Sequence, residues 1–460
     1  MPFLHTWQLR AEFALRLSQM YGEEVPAYNT LVEVSSHVNQ DFMDRHGSDA
    51  ERLGTLERVT AERHGAIRVG SPQELASVAR VFAAFGMHPV GFYDLRDASS
   101  SSVPVIATAF RPVDEDELAK NPFRVFTSLL ATEDPRFFNE ELQRELREFI
   151  DSRSLFPDGL LELADRATVG QGLDSDEAER LLHLATSVFQ LSSEPVDDAW
   201  YRKLEAISAV AADIGGVSST HINHLTPRVL DIDDLYQRME DRGIKMIDAI
   251  QGPPRWNGPD VLLRQTSFRA LDEERTFRFA DGSEGQGKLR VRFGEVEQRG
   301  VALTRKGRDL YEEMNAEIDR RMTSGDSRSR VSETVWQEML PGTDAELAAQ
   351  DLAFYTYSSS ASQGEVPDGA SLAELVTAGT VELNPIVYED FLPRSAAGIF
   401  QSNLREAGQR DDAQEGTLYD MDRLSEIIGL PIKDPVDLYR AQQDASLSEL
   451  EKQLGVTLRQ

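Results

Sequence analysis

The 460-residue chain contains no cysteine, which excludes disulfides, thiolate metal sites and cysteine nucleophiles together. It is also poor in positive charge: Lys+Arg number 48 against 79 Asp+Glu, a formal net charge of −31. Such a surface repels phosphates, so nucleic acid is not an expected partner. No run of about 20 apolar residues is present, and the N-terminal stretch carries Arg10, Glu12 and Arg16 in an amphipathic pattern. The expectation is a soluble cytoplasmic protein with no membrane partner. Only eight residues are histidine, and any metal must be held by nitrogen and oxygen.

Hydrophobic patterning divides the chain into an N-terminal helical segment (1–60), a core (61–300) and a mostly helical C-terminal region (301–460) packing on that core. Gln73–Phe85 reads as an amphipathic helix. Ser71, Pro72 and Glu74 make its capping box, and Gly86 stands where a left-handed residue ends it. With strand-like runs at 66–69, 88–93, 103–110 and 123–130, the order is strand, helix and three strands.

The same order returns roughly 160 residues later, from His221-Ile222-Asn223-His224-Leu225-Thr226 through a helix at 231–242 to runs at 245–250, 261–268 and 290–298. The reading is an α+β fold of two βαβββ modules, 61–130 and 218–300, forming a curved mixed sheet around a site. A helical insertion (131–217) separates them and covers the sheet. The apolar segment Pro385–Pro393 is expected to pack back on the main domain.

Three of the eight histidines fall at the module starts: His64, His221 and His224. On a strand, His64, Ala66 and Arg68 share a face, whereas His221 and His224, three apart, do not. Glu295 and Glu297 share a face of the last strand, where a carboxylate is costly unless paired or bound to a cation. Two histidines and one carboxylate with open positions suit a non-haem iron oxygenase or a zinc hydrolase. On patterning alone, each histidine is equally open to a core hydrogen-bonding role, and Glu295 and Glu297 to pairing with Arg290, Arg292 or Arg299. Arg68 beside a metal would clamp a carboxylate.

The blocks 63–70, 121–130, 221–228, 293–300, 388–393 and 395–400 resemble the 2-oxoadipate dioxygenase/decarboxylase family of the vicinal oxygen chelate superfamily. The resemblance implies an Fe(II) enzyme converting 2-oxoadipate and O2 to 2-hydroxyglutarate and CO2 in lysine breakdown. It implies His64 as a metal ligand that also meets substrate, His224 in preference to His221, Glu295 in preference to Glu297, and Arg68 as the grip on the substrate carboxylate. It also implies a distal substrate contact at Arg394 or Ser395. The alternatives are a zinc or nickel hydrolase or isomerase of the same superfamily, and a binding protein without chemistry.

Overall fold

The computed structural model describes residues 2–459 apart from 98–102, 290–291, 361–365, 367, 404–409 and 412. The start of the strand expected at 290 and parts of the C-terminal region therefore lie outside the described residues.

The first module forms as its sequence predicts. Strand Arg63–Val69 leads into helix Pro72–Ala83, followed by strands His88–Asp94, Val105–Arg111 and Arg124–Leu130. The helix opens with Pro72 after a Ser71–Glu74 capping box and buries Leu75, Val78, Ala79 and Phe82. The first strand runs parallel to Arg124–Leu130 and antiparallel to His224–Pro227, the strand that opens the second module.

That second module departs from expectation. Its helix spans Ile232–Asp241 and its ladder pairs Leu263–Ser267 with Glu295–Arg299. The run at 245–250 is no regular strand, touching the ladder only through isolated bridges at Met246 and Gln251. The stretch between the runs at 261–268 and 290–298 holds a hairpin, Glu273–Arg278 with Glu284–Leu289, docked on Val196–Asp197 of the insertion.

The pairings His64↔Thr226, Gly65↔Leu225 and Ala66↔His224 make a local two-fold through Gly65 and Leu225. It carries His64 onto His224 and Arg68 onto Arg228. A parallel bridge from Arg228 to Glu297 brings the Glu295–Arg299 strand alongside. The module-opening strands thus lie side by side at the centre of a curved surface.

Strand parity divides the core. Ile67, Val69, Val125 and Leu129 point to one side and pack with Leu9, Phe13 and Leu17 of helix Thr6–Glu24 and with the Pro72–Ala83 helix. Ala66, Ala109, Phe126 and Leu130 point to the other, meeting Leu142, Leu146 and Val210 of the insertion and Tyr388 and Phe391 of the C-terminal region. The C-terminal segment is stitched on by Ala302 N–H to Ile386 O (2.8 Å) and Tyr388 N–H to Gly300 O (2.9 Å). Among the described residues, no helix is long and apolar enough to cross a membrane.

One packing detail bears on the site. A Cβ at Gly294 would stand 1.9 Å from the ring of the buried Phe268. Gly294→Ala should therefore cost about 1–3 kcal/mol of stability through overpacking, read as a lower denaturant midpoint at unchanged slope. It should also displace the adjacent Glu295.

Candidate metal centre

Strand parity places His64, Arg68 and His224 on the same face of the central ladder. One ligand atom from each of His64, His224 and Glu295 lies within 4.8 Å of the others, and all three residues are buried. His64 Nε2 stands 3.7 Å from Glu295 Oε1 and His224 Nε2 stands 3.4 Å from Oε2. Among the described residues this is the only such cluster of three.

These contacts are not ion pairs between charged groups. Burial pushes His224 far below the ordinary imidazole range, helped by His64 and Arg68, and lowers His64 despite the pull of Glu297. Burial and then Glu297 push Glu295 well above the usual carboxylate range. Its side chain accepts a hydrogen bond from Gln265, and no guanidinium or ammonium of the described residues lies within 4 Å of it. Two neutral imidazoles aimed at a carboxylate without a cationic partner form a donor set that fits a divalent metal.

Glu297, one turn of the pleat away, is different. Burial alone would raise its carboxyl, but Arg299, His64 and Arg124 hold it down at about 2. It meets His64 Nδ1 at 2.9 Å and accepts from Arg299 Nε and Nη2 at 2.8 Å each. Arg292 is taken by Glu24 and Glu273.

His221 precedes the strand and turns elsewhere. Its Nε2 lies 3.3 Å from Asp213 Oδ1, and Asp213 Oδ2 accepts from Asn223 Nδ2 (2.9 Å) and from Arg68. Burial opposes ionisation of Asp213, yet His221 and Arg68 keep its carboxyl below the ordinary range. Asp213 sits in helix Ala209–Gly215, so the insertion contributes the residue that holds Arg68. Arg228, the counterpart of Arg68 in the second module, is spent on Glu62 (2.8 Å).

Aromatic rings pack around the two histidines. Phe391 stands edge-on to His64 at 5.0 Å and packs on Phe126 at 5.0 Å, while Phe293 lies over His224 at 5.2 Å. Of the two C-terminal candidates, Ser395 is buried. Arg394 is not brought to the cluster: its side chain is 66% exposed and reaches Glu312 at 3.7 Å. Sequence reasoning missed Asp213, Gln265 and the hold of Glu297 on His64. A lone aspartate in the apolar run at 206–217 was the one available signal for Asp213.

A sequence model of the 2-oxoadipate dioxygenase/decarboxylase family matches residues 13–403. The 2-oxoadipate dioxygenase/decarboxylase of Mycobacterium tuberculosis is 56% identical over 438 residues, covering 95% of this chain and 97% of that protein. Its namesake in Pseudomonas putida is 39% identical over 470 residues, covering 99% and 98%. The crystal structure of hydroxyglutarate synthase from Pseudomonas putida in complex with 2-oxoadipate superposes with a TM-score of 0.84 at 36% identity over 99% of each chain.

Proposed function

The chain belongs to the 2-oxoadipate dioxygenase/decarboxylase family, and on that premise we propose that it is an Fe(II)-dependent enzyme taking 2-oxoadipate and O2 to 2-hydroxyglutarate and CO2. The observation that carries this reading is the buried cluster of His64, His224 and Glu295, with Arg68 on the same strand face as His64. Fe(II) held by these three residues would supply the oxygen activation that oxidative decarboxylation of a 2-oxo acid requires.

The chain's own residues bind, orient and shield. Arg68, held by Asp213, presents a guanidinium to a substrate carboxylate and limits the acid to one pose. Phe126, Phe293 and Phe391 keep bulk water from the reacting carbons. Ser395 is the buried candidate for the distal end of the acid.

Oxygen uptake by anaerobically prepared, Fe(II)-loaded protein on addition of 2-oxoadipate tests the proposal. Equal amounts of O2 consumed, CO2 released and 2-hydroxyglutarate formed are expected. Iron-loaded protein that consumes no oxygen would overturn the proposal and turn attention to zinc or nickel chemistry.

The protonation states give a second expectation. Burial lowers both imidazoles and raises Glu295, so below the raised Glu295 value that carboxyl carries a proton it must lose on becoming a ligand. Metal binding should therefore release one proton, and affinity should rise about tenfold per pH unit until pH passes the raised Glu295 value, then level off. Calorimetry in buffers of different ionisation enthalpy measures this. Binding without proton release would remove Glu295 from the ligand set.

A further inference from the structure

The surroundings of the two histidines are unequal. Among the described residues, no protein group accepts a hydrogen bond from His224 Nδ1, which is buried. His64 Nδ1 lies 2.9 Å from a carboxylate that is buried completely. A buried charge of that kind is expensive unless other groups repay it. Here they do: Glu297 Oε1 and Oε2 accept from Arg299, and Oε1 lies 3.3 Å from Arg124 Nη1. Arg124 in turn reaches Glu62 (2.7 Å) and Glu389, and Arg58 reaches Glu389 at 2.5 Å.

Arg299 also donates to Tyr388 O (2.7 Å) and Asp390 O (2.9 Å). Asp390 is gripped by Arg111 (2.9 Å) and by the Tyr439 hydroxyl. The C-terminal segment 388–390 and a buried lattice of arginines and carboxylates thus converge on the far side of one imidazole. An ionised carboxylate can only accept, so Nδ1 of His64 carries the proton and Nε2, aimed at Glu295, keeps its lone pair. Among the described residues, no comparable construction stands behind His224.

We propose that Glu297 is a positioning residue that fixes the tautomer and orientation of His64, making it the stronger of two unequal histidine donors, with Arg299 and segment 388–390 holding Glu297 in place. The inference rests on the reading of His64, His224 and Glu295 as metal ligands. A carboxylate behind a ligating imidazole raises its basicity, and losing such a partner typically costs about 10–100-fold in metal affinity. Because the arginines reach the segment that carries Phe391, placement of that ring and of His64 are set by one lattice.

The test uses Co(II) as probe on the full-length protein, wild type against Glu297→Gln. The variant keeps the shape and an oxygen acceptor but removes the charge. Co(II) affinity should fall about 10–100-fold, and the visible bands of the bound ion should shift because one donor has weakened. A folded Glu297→Gln protein with wild-type affinity and unchanged bands would overturn the proposal while leaving the metal site standing. Wild-type protein that binds no Co(II) would instead sink the metal-site reading and this inference with it.

Should the uncompensated arginine charges unfold the variant, the wild type still answers. In metal-free protein labelled with 15N-histidine, His64, assigned by its loss in His64→Gln, should show the Nδ1–H form. The commoner Nε2–H form there would overturn the proposal.

Discussion

His224→Ala should abolish metal binding and oxygen consumption together, whereas His221→Ala should keep the metal. The two residues lie three apart in one short segment, so the pair is an internal control. His224 Nε2 faces Glu295 within 3.4 Å, while His221 is turned to Asp213. Removing one of three donors should cost more than the roughly 10–100-fold attached to losing an outer partner, and His64→Ala and Glu295→Ala should match it. Metal that binds only the native state stabilises it by mass action. Wild-type and His221→Ala proteins should therefore melt higher with metal than with chelator, and the three ligand variants should show no such difference. Full metal content in His224→Ala with loss in His221→Ala would reverse the assignment.

Why the proposed ligand set could be read from sequence, and its supports could not, follows from the distance over which each pattern acts. Parity along a strand is local: once 63–69 is a strand, His64 and Arg68 must share a face. The pairing of Ala66 with His224 then brings the second histidine to that face. Parity also separates His221 from His224 without saying which of them lies inside the strand. The strand begins at His224, which places His224 inside it and His221 before it.

Asp213 and Gln265 reach the site through contacts no periodicity encodes. One comes from a helix of the insertion, the other from the register of Leu263–Ser267 against Glu295–Arg299. The hairpin at 273–289 escaped notice because it is half-solvated and rich in charge and glycine, so it lacks a buried face that alternation could reveal. The run at 245–250 has the apolar content of a strand, but its backbone bonds to the neighbouring chain at intervals, at Lys245 and Ile247 and, just beyond the run, at Gln251. Arg394 was placed by resemblance alone, and nothing in its own sequence surroundings distinguishes a solvent-facing helix start from a pocket wall.

Arg68→Ala should leave metal affinity close to wild type and remove most of the affinity for 2-oxoadipate. Its guanidinium is buried beside Asp213 and shares a strand face with His64, but it is not among the donor atoms. Losing a charge-assisted contact and leaving a substrate carboxylate unpaired should cost about 2–5 kcal/mol, roughly 30-fold to a few thousand-fold in Kd. Calorimetric titration of the metal-loaded, oxygen-free protein measures it directly.

The single variant also strands Asp213, whose carboxyl is held ionised by Arg68 and His221, so some stability will be lost with the affinity. The double variant Arg68→Ala/Asp213→Ala separates the two effects, because it removes the stranded charge. Its stability should recover relative to Arg68→Ala while 2-oxoadipate binding stays weak. If binding recovered along with stability, Arg68 would be a structural partner of Asp213 and another group would hold the acid. If the single variant bound 2-oxoadipate as wild type does, Arg68 would have no part in the site.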